Sequence, residues 1–132
     1  MQPAKPRKFR ETVFGPVKEI PAAELAATRE LTRSEVMALS EDGLGAWQYR
    51  APPGEVIRGS DPALGGGQYW IVMGGAQDHP TEGAMERLSC IFVTPEDAAY
   101  EVKAGPGGAQ VLVMQFNGQK IYFFLKMMLK LL

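Results

Sequence analysis

The chain has few of the residues that most often carry chemistry: one cysteine, Cys90, and one histidine, His79, in 132 residues. A lone thiol cannot form an internal disulfide, and no apolar segment follows a basic one near residue 1, so a reducing, cytoplasmic compartment is expected. Cys90 is flanked by Leu88, Ile91 and Phe92 with no base in view, and it reads as a small buried hydrophobe rather than a nucleophile. His79 lies in the polar stretch Asp78-His79-Pro80 and reads as a solvated loop residue. No run approaches the ~20 apolar residues of a bilayer span. No helix-period stripe of ten or more residues interrupts the chain, which argues against a parallel βαβ sheet, and there is no internal repeat. Acids are missing after Glu101 although Lys103, Lys120, Lys126 and Lys130 follow, and Lys5, Arg7, Lys8 and Arg10 open the chain. The net charge of -1 conceals this asymmetry. Four cations near a fraying terminus read as solubilising, so no nucleic-acid partner is expected.

What the chain does have is 45% hydrophobic residues, fifteen glycines and ten prolines. That is enough apolar surface for one core, punctuated every ~10 residues as a many-turned all-β fold would be. The clearest strand is Tyr69-Trp70-Ile71-Val72-Met73, held between Gly65-Gly66-Gly67 and Gly74-Gly75. Before it, residues 1–33 read as an amino-terminal arm, with Pro21 opening a short helix over the alanine-rich residues 22–27. A strand is expected over 36–40, turned by Glu41-Asp42-Gly43 into Ala46 to Arg50, where Trp47 and Tyr49 alternate with polar residues. The competing reading caps a helix at Thr32-Arg33-Ser34-Glu35 and runs it through Leu39. Val56 and Ile57 begin a short segment, residues 76–86 read as a polar surface excursion, and Leu88 to Val93 is the next strand. Tyr100 and Val102 alternate with Glu101 and Lys103. Gly105-Pro106-Gly107-Gly108 reads as a chain reversal, and Val111 to Phe116 as a further strand. Asn117-Gly118 predicts a hairpin returning Lys120 to Leu125, and residues 126–132 form an apolar tail that is expected to pack on the protein or on a partner.

This order of strands and turns resembles the cupins, whose motifs are G(X)5HXH(X)3-4E(X)6G and G(X)5PXG(X)2H(X)3N. Counting back from Gly75 places the family's glutamate at Gln68, and its histidine pair at Asp61 and Ala63 or at Pro62 and Leu64. Pro95 matches the second motif's proline, which puts its glycines at Ser89 and Asp97, its histidine at Tyr100 and its asparagine at Ala104. The resemblance, covering about residues 34–116, implies a cupin-like double-stranded β-helix, a jelly-roll barrel over residues 34–125. At the family's metal-binding positions this chain carries other residues, so neither a metal nor another cofactor is expected.

On that geometry Gln68 and Tyr100 point inward, with Trp70, Val72 and Val102 on the same face. The leading functional expectation is a barrel that binds a small organic molecule, with Trp47, Tyr49 and Trp70 as apolar wall and Gln68, Tyr100 and Gln115 as hydrogen bonders. The competing reading lets the same side chains simply fill the interior, bonded to one another. A metal-free isomerase or epimerase would use Tyr100 as acid, with Asp61, Asp97 or Glu96 as the only candidate bases near the mouth. The resemblance also implies a homodimer, built by pairing of sheet edges.

Overall fold

The computed structural model describes residues 17–118 and 128–131. The expected hairpin return over 120–125, and residues 126, 127 and 132 of the expected tail, lie outside the described residues. One short helix, α1 (Ala22–Ala26), precedes seven strands: β1 (Thr32–Met37), β2 (Gly45–Ala51), β3 (Val56–Arg58), β4 (Gln68–His79), β5 (Gly83–Met85), β6 (Cys90–Val93) and β7 (Glu101–Gln115). All pair antiparallel in one sheet ordered β1-β2-β7-β4-β5. β3 continues the line of β2 along one edge of β7, and β6 pairs with β4 on the side that β5 also uses. The protein is thus an all-β fold with one helical turn or so in front. No helix among the described residues is long and apolar enough to cross a membrane.

The last strand in this series is the middle of the sheet. Its carboxy-terminal half lies between β2 and β4, with Trp47 and Trp70 both opposite Val113, and Tyr49 and Val72 both opposite Val111. Its amino-terminal half lies between β3 and the end of β4. The glycine-proline stretch expected to reverse the chain instead lies inside β7 as a wide bulge. Ala109 pairs with Gly75 and Ala104 with Gln77, so four β7 residues stand against one of β4. The bulge changes parity: Val102 and Ala104 before it and Ala109, Val111 and Val113 after it all enter one core. That core is completed by Trp47, Tyr49, Ala51, Ile57, Trp70 and Val93, with Ile91 and Tyr100 packed against it.

Three other expectations change. β1 begins at Thr32, where a helix cap was the competing reading, and ends at Met37; Ser40 belongs to the turn, where its N–H donates to Leu44 O at 2.8 Å. The segment expected to be a surface excursion is largely paired, because β4 runs on to His79 and folds back through β5. Cys90, the first residue of β6, pairs with Ile71, and its side chain is exposed rather than buried. A four-residue edge strand has only one covered face there, so a residue with apolar neighbours in sequence still meets solvent.

The opposite face of the sheet receives the chain's described start. Gln110 donates to Lys18 O at 2.7 Å and accepts from Ile20 N at 2.8 Å. Arg50 donates to Thr28 Oγ1 and to the carbonyl of Glu24. These polar clips seat Leu25, fully buried, over Gly74, Gly75 and Gly108; burying one leucine contributes roughly 2 kcal/mol.

Candidate functional site

Gln68, Trp70 and Gln115 are brought together at one end of the core, and all three are buried. Gln68 faces Gln115 across the β4–β7 ladder, and its Nε2 donates to Gln115 Oε1 at 2.9 Å. Gln68 Oε1 accepts from the Trp70 indole at 2.9 Å, while Nε2 also reaches Ser60 O at 3.2 Å. Gln115 Nε2 donates to Gly43 O at 2.7 Å. Two glutamines and one indole therefore close a net with satisfied donors and acceptors, and it pins residue 43 and residue 60 to the sheet. Burying amides without these partners would be costly, so the net is stiff.

Above the net is a cavity of about 550 Å³ lined by Glu41, Asp42, Ala63, Leu64, Gly65, Pro95, Glu96 and Gly118. Three connections meet there: the β1–β2 turn, the 3₁₀ turn at Pro62–Leu64 and the β6–β7 loop. The meeting depends on glycine. Gly43 has φ +93°, and a Cβ on it would collide with Leu64 O; a Cβ on Gly65 would fall 2.7 Å from Gln115 Cγ. The Gln68–Gln115 net is thus the frame behind the cavity floor, while its walls are short loops.

Each carboxylate near the cavity has a different employment. Asp42 organises the β1–β2 turn, accepting from Ser40 Oγ, Leu44 N and Asn117 Nδ2. Asp61 caps the 3₁₀ turn by accepting from Ala63 N at 3.0 Å, and Asp97 accepts from Thr94 N at 2.7 Å. Glu41 and Glu96 are exposed on the lining, beside the apolar surface of Ala63, Leu64 and Pro95. Of the three expected candidate bases, only Glu96 lines the cavity.

The chain matches no protein-family model, no curated protein and no solved structure.

The remaining aromatic candidates lie deeper in the core. Tyr49 stacks on Trp70 with centroids 5.5 Å apart, and Tyr100 meets Trp70 edge-on at 4.9 Å. Burial pushes the Tyr100 phenol up to about 12. Its nearest polar partner is Gln77 Nε2 at 3.5 Å, and His79 stacks beyond it at 6.2 Å. Tyr100 is not among the cavity's lining residues, so the expected acid and its one cavity-lining candidate base, Glu96, do not face the same space. Trp47 is buried under the Arg33 guanidinium, 4.5 Å from the ring centroid. Among the described residues Trp47 Nε1 and Gln77 Oε1 have no hydrogen-bond partner. His79 Nδ1 accepts from Thr81 N and Glu82 N at 3.2 Å, which ties it to its own turn. Among the described residues no three histidine, cysteine, aspartate or glutamate side chains converge as a metal site.

Sequence reasoning gave Glu41 no part in a site, and it singled out Ala63 and Leu64 only as occupants of the family's histidine positions, not as cavity lining. The signal for their turns was present in Asp42-Gly43 and Asp61-Pro62, but no local pattern says that two turns nineteen residues apart will meet.

Proposed function

We propose that the chain is a metal-independent, cupin-like binding protein whose ligand occupies the cavity framed by Gln68 and Gln115. The observation that carries this reading is the cavity itself. Its volume of about 550 Å³ lies within the ~300–1,000 Å³ of small-molecule sites, and it offers apolar lining together with two exposed carboxylates. That chemistry suits a small organic molecule with an apolar body and an amine or another hydrogen-bond donor directed at Glu41 and Glu96. The cupin likeness rests on the spacing of Gln68, Gly75 and Pro95 and is supported by the antiparallel β architecture. In this arrangement the glutamines hold the loops around a ligand rather than touching it.

The test is a thermal-shift screen of small amines, alcohols and carboxylates, followed by calorimetry on whatever raises the melting temperature. A ligand present at about a hundredfold above its Kd stabilises by about 2.7 kcal/mol, a shift of several degrees. Leu64→Trp, which fills the cavity from an exposed position, and Glu96→Gln should each abolish or weaken that shift. Flat melting curves across the panel, or shifts indifferent to both substitutions, would refute the proposal.

A further inference from the structure

We infer that the cleft between the end of α1 and the outer face of β1 and β2 is a phosphate site, which holds the phosphoryl group of a small molecule between Arg29 and Arg50. The cleft measures about 460 Å³, and Thr28, Arg29, Glu30, Thr32 and Arg50 are among its lining. Arg50 alternates on β2 with the core residues Tyr49 and Ala51, so it projects from the opposite face of the sheet. Thr32, its partner on β1, projects beside it. α1 stops at Ala26, and the connection to β1 brings Thr28 within hydrogen-bond distance of Arg50. Gly45, the partner of Gln115, lies at the other end of β2, so this cleft is separate from the cavity framed by Gln68 and Gln115 and does not depend on a ligand there.

Arg50 is half-buried and held in place from one side. Its Nε donates to Thr28 Oγ1 at 2.8 Å and its Nη2 to Glu24 O at 3.0 Å, which fixes the plane of the guanidinium. The other edge, made by Nη1 and the second Nη2 hydrogen, has no acceptor among the described residues. Two parallel N–H groups on such an edge clasp two oxygens of one anion. Among the described residues Arg58 pairs with Glu101, Arg87 pairs with Glu19, and Arg33 covers the Trp47 ring. Arg29 and Arg50 have neither a carboxylate nor a ring as partner, and both line this cleft. Glu30, also on the lining, forms an ion pair with neither and is exposed. The arginines therefore leave an excess of positive charge. A planar carboxylate would be satisfied by the Arg50 edge alone. The second guanidinium and the Thr32 hydroxyl add donors from other elements, which suits the tetrahedral, doubly charged phosphoryl group.

Titration of the full chain with inorganic phosphate and with phenyl phosphate, followed by calorimetry and by ¹H–¹⁵N NMR at constant ionic strength, tests the inference. Both probes should bind saturably, with the shifts concentrated at residues 28–32 and 50, and acetate should bind about tenfold more weakly or less. Arg29→Ala, and Arg50→Lys, which keeps the charge but lacks the fork, should each weaken phosphate binding about tenfold or more. Glu30→Gln removes a negative charge from the lining and should tighten it about twofold. Leu64→Trp, at the other cavity, should leave phosphate affinity unchanged. Circular dichroism shows whether Arg50→Lys folds; if it does not, Arg29→Ala and Glu30→Gln, both at exposed positions, decide. No saturable phosphate binding, acetate bound as tightly as phosphate, shifts centred elsewhere, or an affinity indifferent to Arg29→Ala and Glu30→Gln would each overturn the inference.

Discussion

Gln68→Met keeps the length and approximate volume of the side chain while removing both polar ends. In the folded protein Trp70 Nε1 then loses its acceptor and Gln115 Oε1 loses its donor, and both residues are essentially excluded from solvent. Stripping the partner from a buried polar group costs about 1–3 kcal/mol, so two such losses give a destabilisation of about 3 kcal/mol after the gain from burying a more apolar side chain. Against a total stability of ~5–15 kcal/mol this is a large fraction, and for a domain of this size it lowers the melting temperature by roughly 10 °C. Urea unfolding followed by the fluorescence of Trp47 and Trp70 measures it directly. The pairing has its own signature: Gln68→Met/Gln115→Met should cost less than the sum of the single variants by ~1 kcal/mol, since either one already breaks the shared bond. A single-variant loss below about 0.5 kcal/mol, or additivity within ~0.3–0.5 kcal/mol, would refute the claim that these amides form a structural frame.

Two further perturbations probe groups outside that frame. The Tyr100 phenol is raised by burial to about 12, above the ~10 of an unfolded tyrosine, so the folded state keeps a proton that the unfolded state releases. Stability from this residue is complete below pH ~10 and is lost as pH climbs towards about 12; Tyr100→Phe should flatten that decline, and identical alkaline profiles for the two proteins would contradict it. Burial also pushes the Cys90 thiol up, yet its side chain is exposed. The native protein should therefore react with a thiol reagent without unfolding, slowly at neutral pH and faster as pH rises, and a thiol that reacts only in denaturant would contradict the structure.

The strand from Tyr69 to Met73 and the alternation of Trp47 and Tyr49 were legible because local composition and burial agree there. The Gly105-Pro106-Gly107-Gly108 stretch was not, since the same residues serve a reversal and a bulge. What decides between them is the neighbouring strand: β4 continues past residue 75 alongside β7, so the chain bends and goes on. Cys90 misled for a related reason, because an apolar neighbourhood in sequence does not reveal that a strand lies at an edge. For the site, sequence spacing led to Gln68, Tyr100 and Gln115, and the structure brings Gln68 and Gln115 into one net and leaves Tyr100 outside it. Nothing local could place that net behind a cavity, because its contacts join residues 47 and 72 positions apart.

β7 holds the centre of the sheet, yet it is the last of the described strands to be synthesised. Until it arrives, β2 and β4 have no common partner, and the core faces of Trp47, Tyr49 and Trp70 remain uncovered. Folding must then close loops of dozens of residues in one late step, the regime in which β proteins fold over ~milliseconds to seconds rather than microseconds. A nascent chain lacking β7 would present two adhesive strands at once, so vulnerability to aggregation is concentrated in the interval before β7 is released.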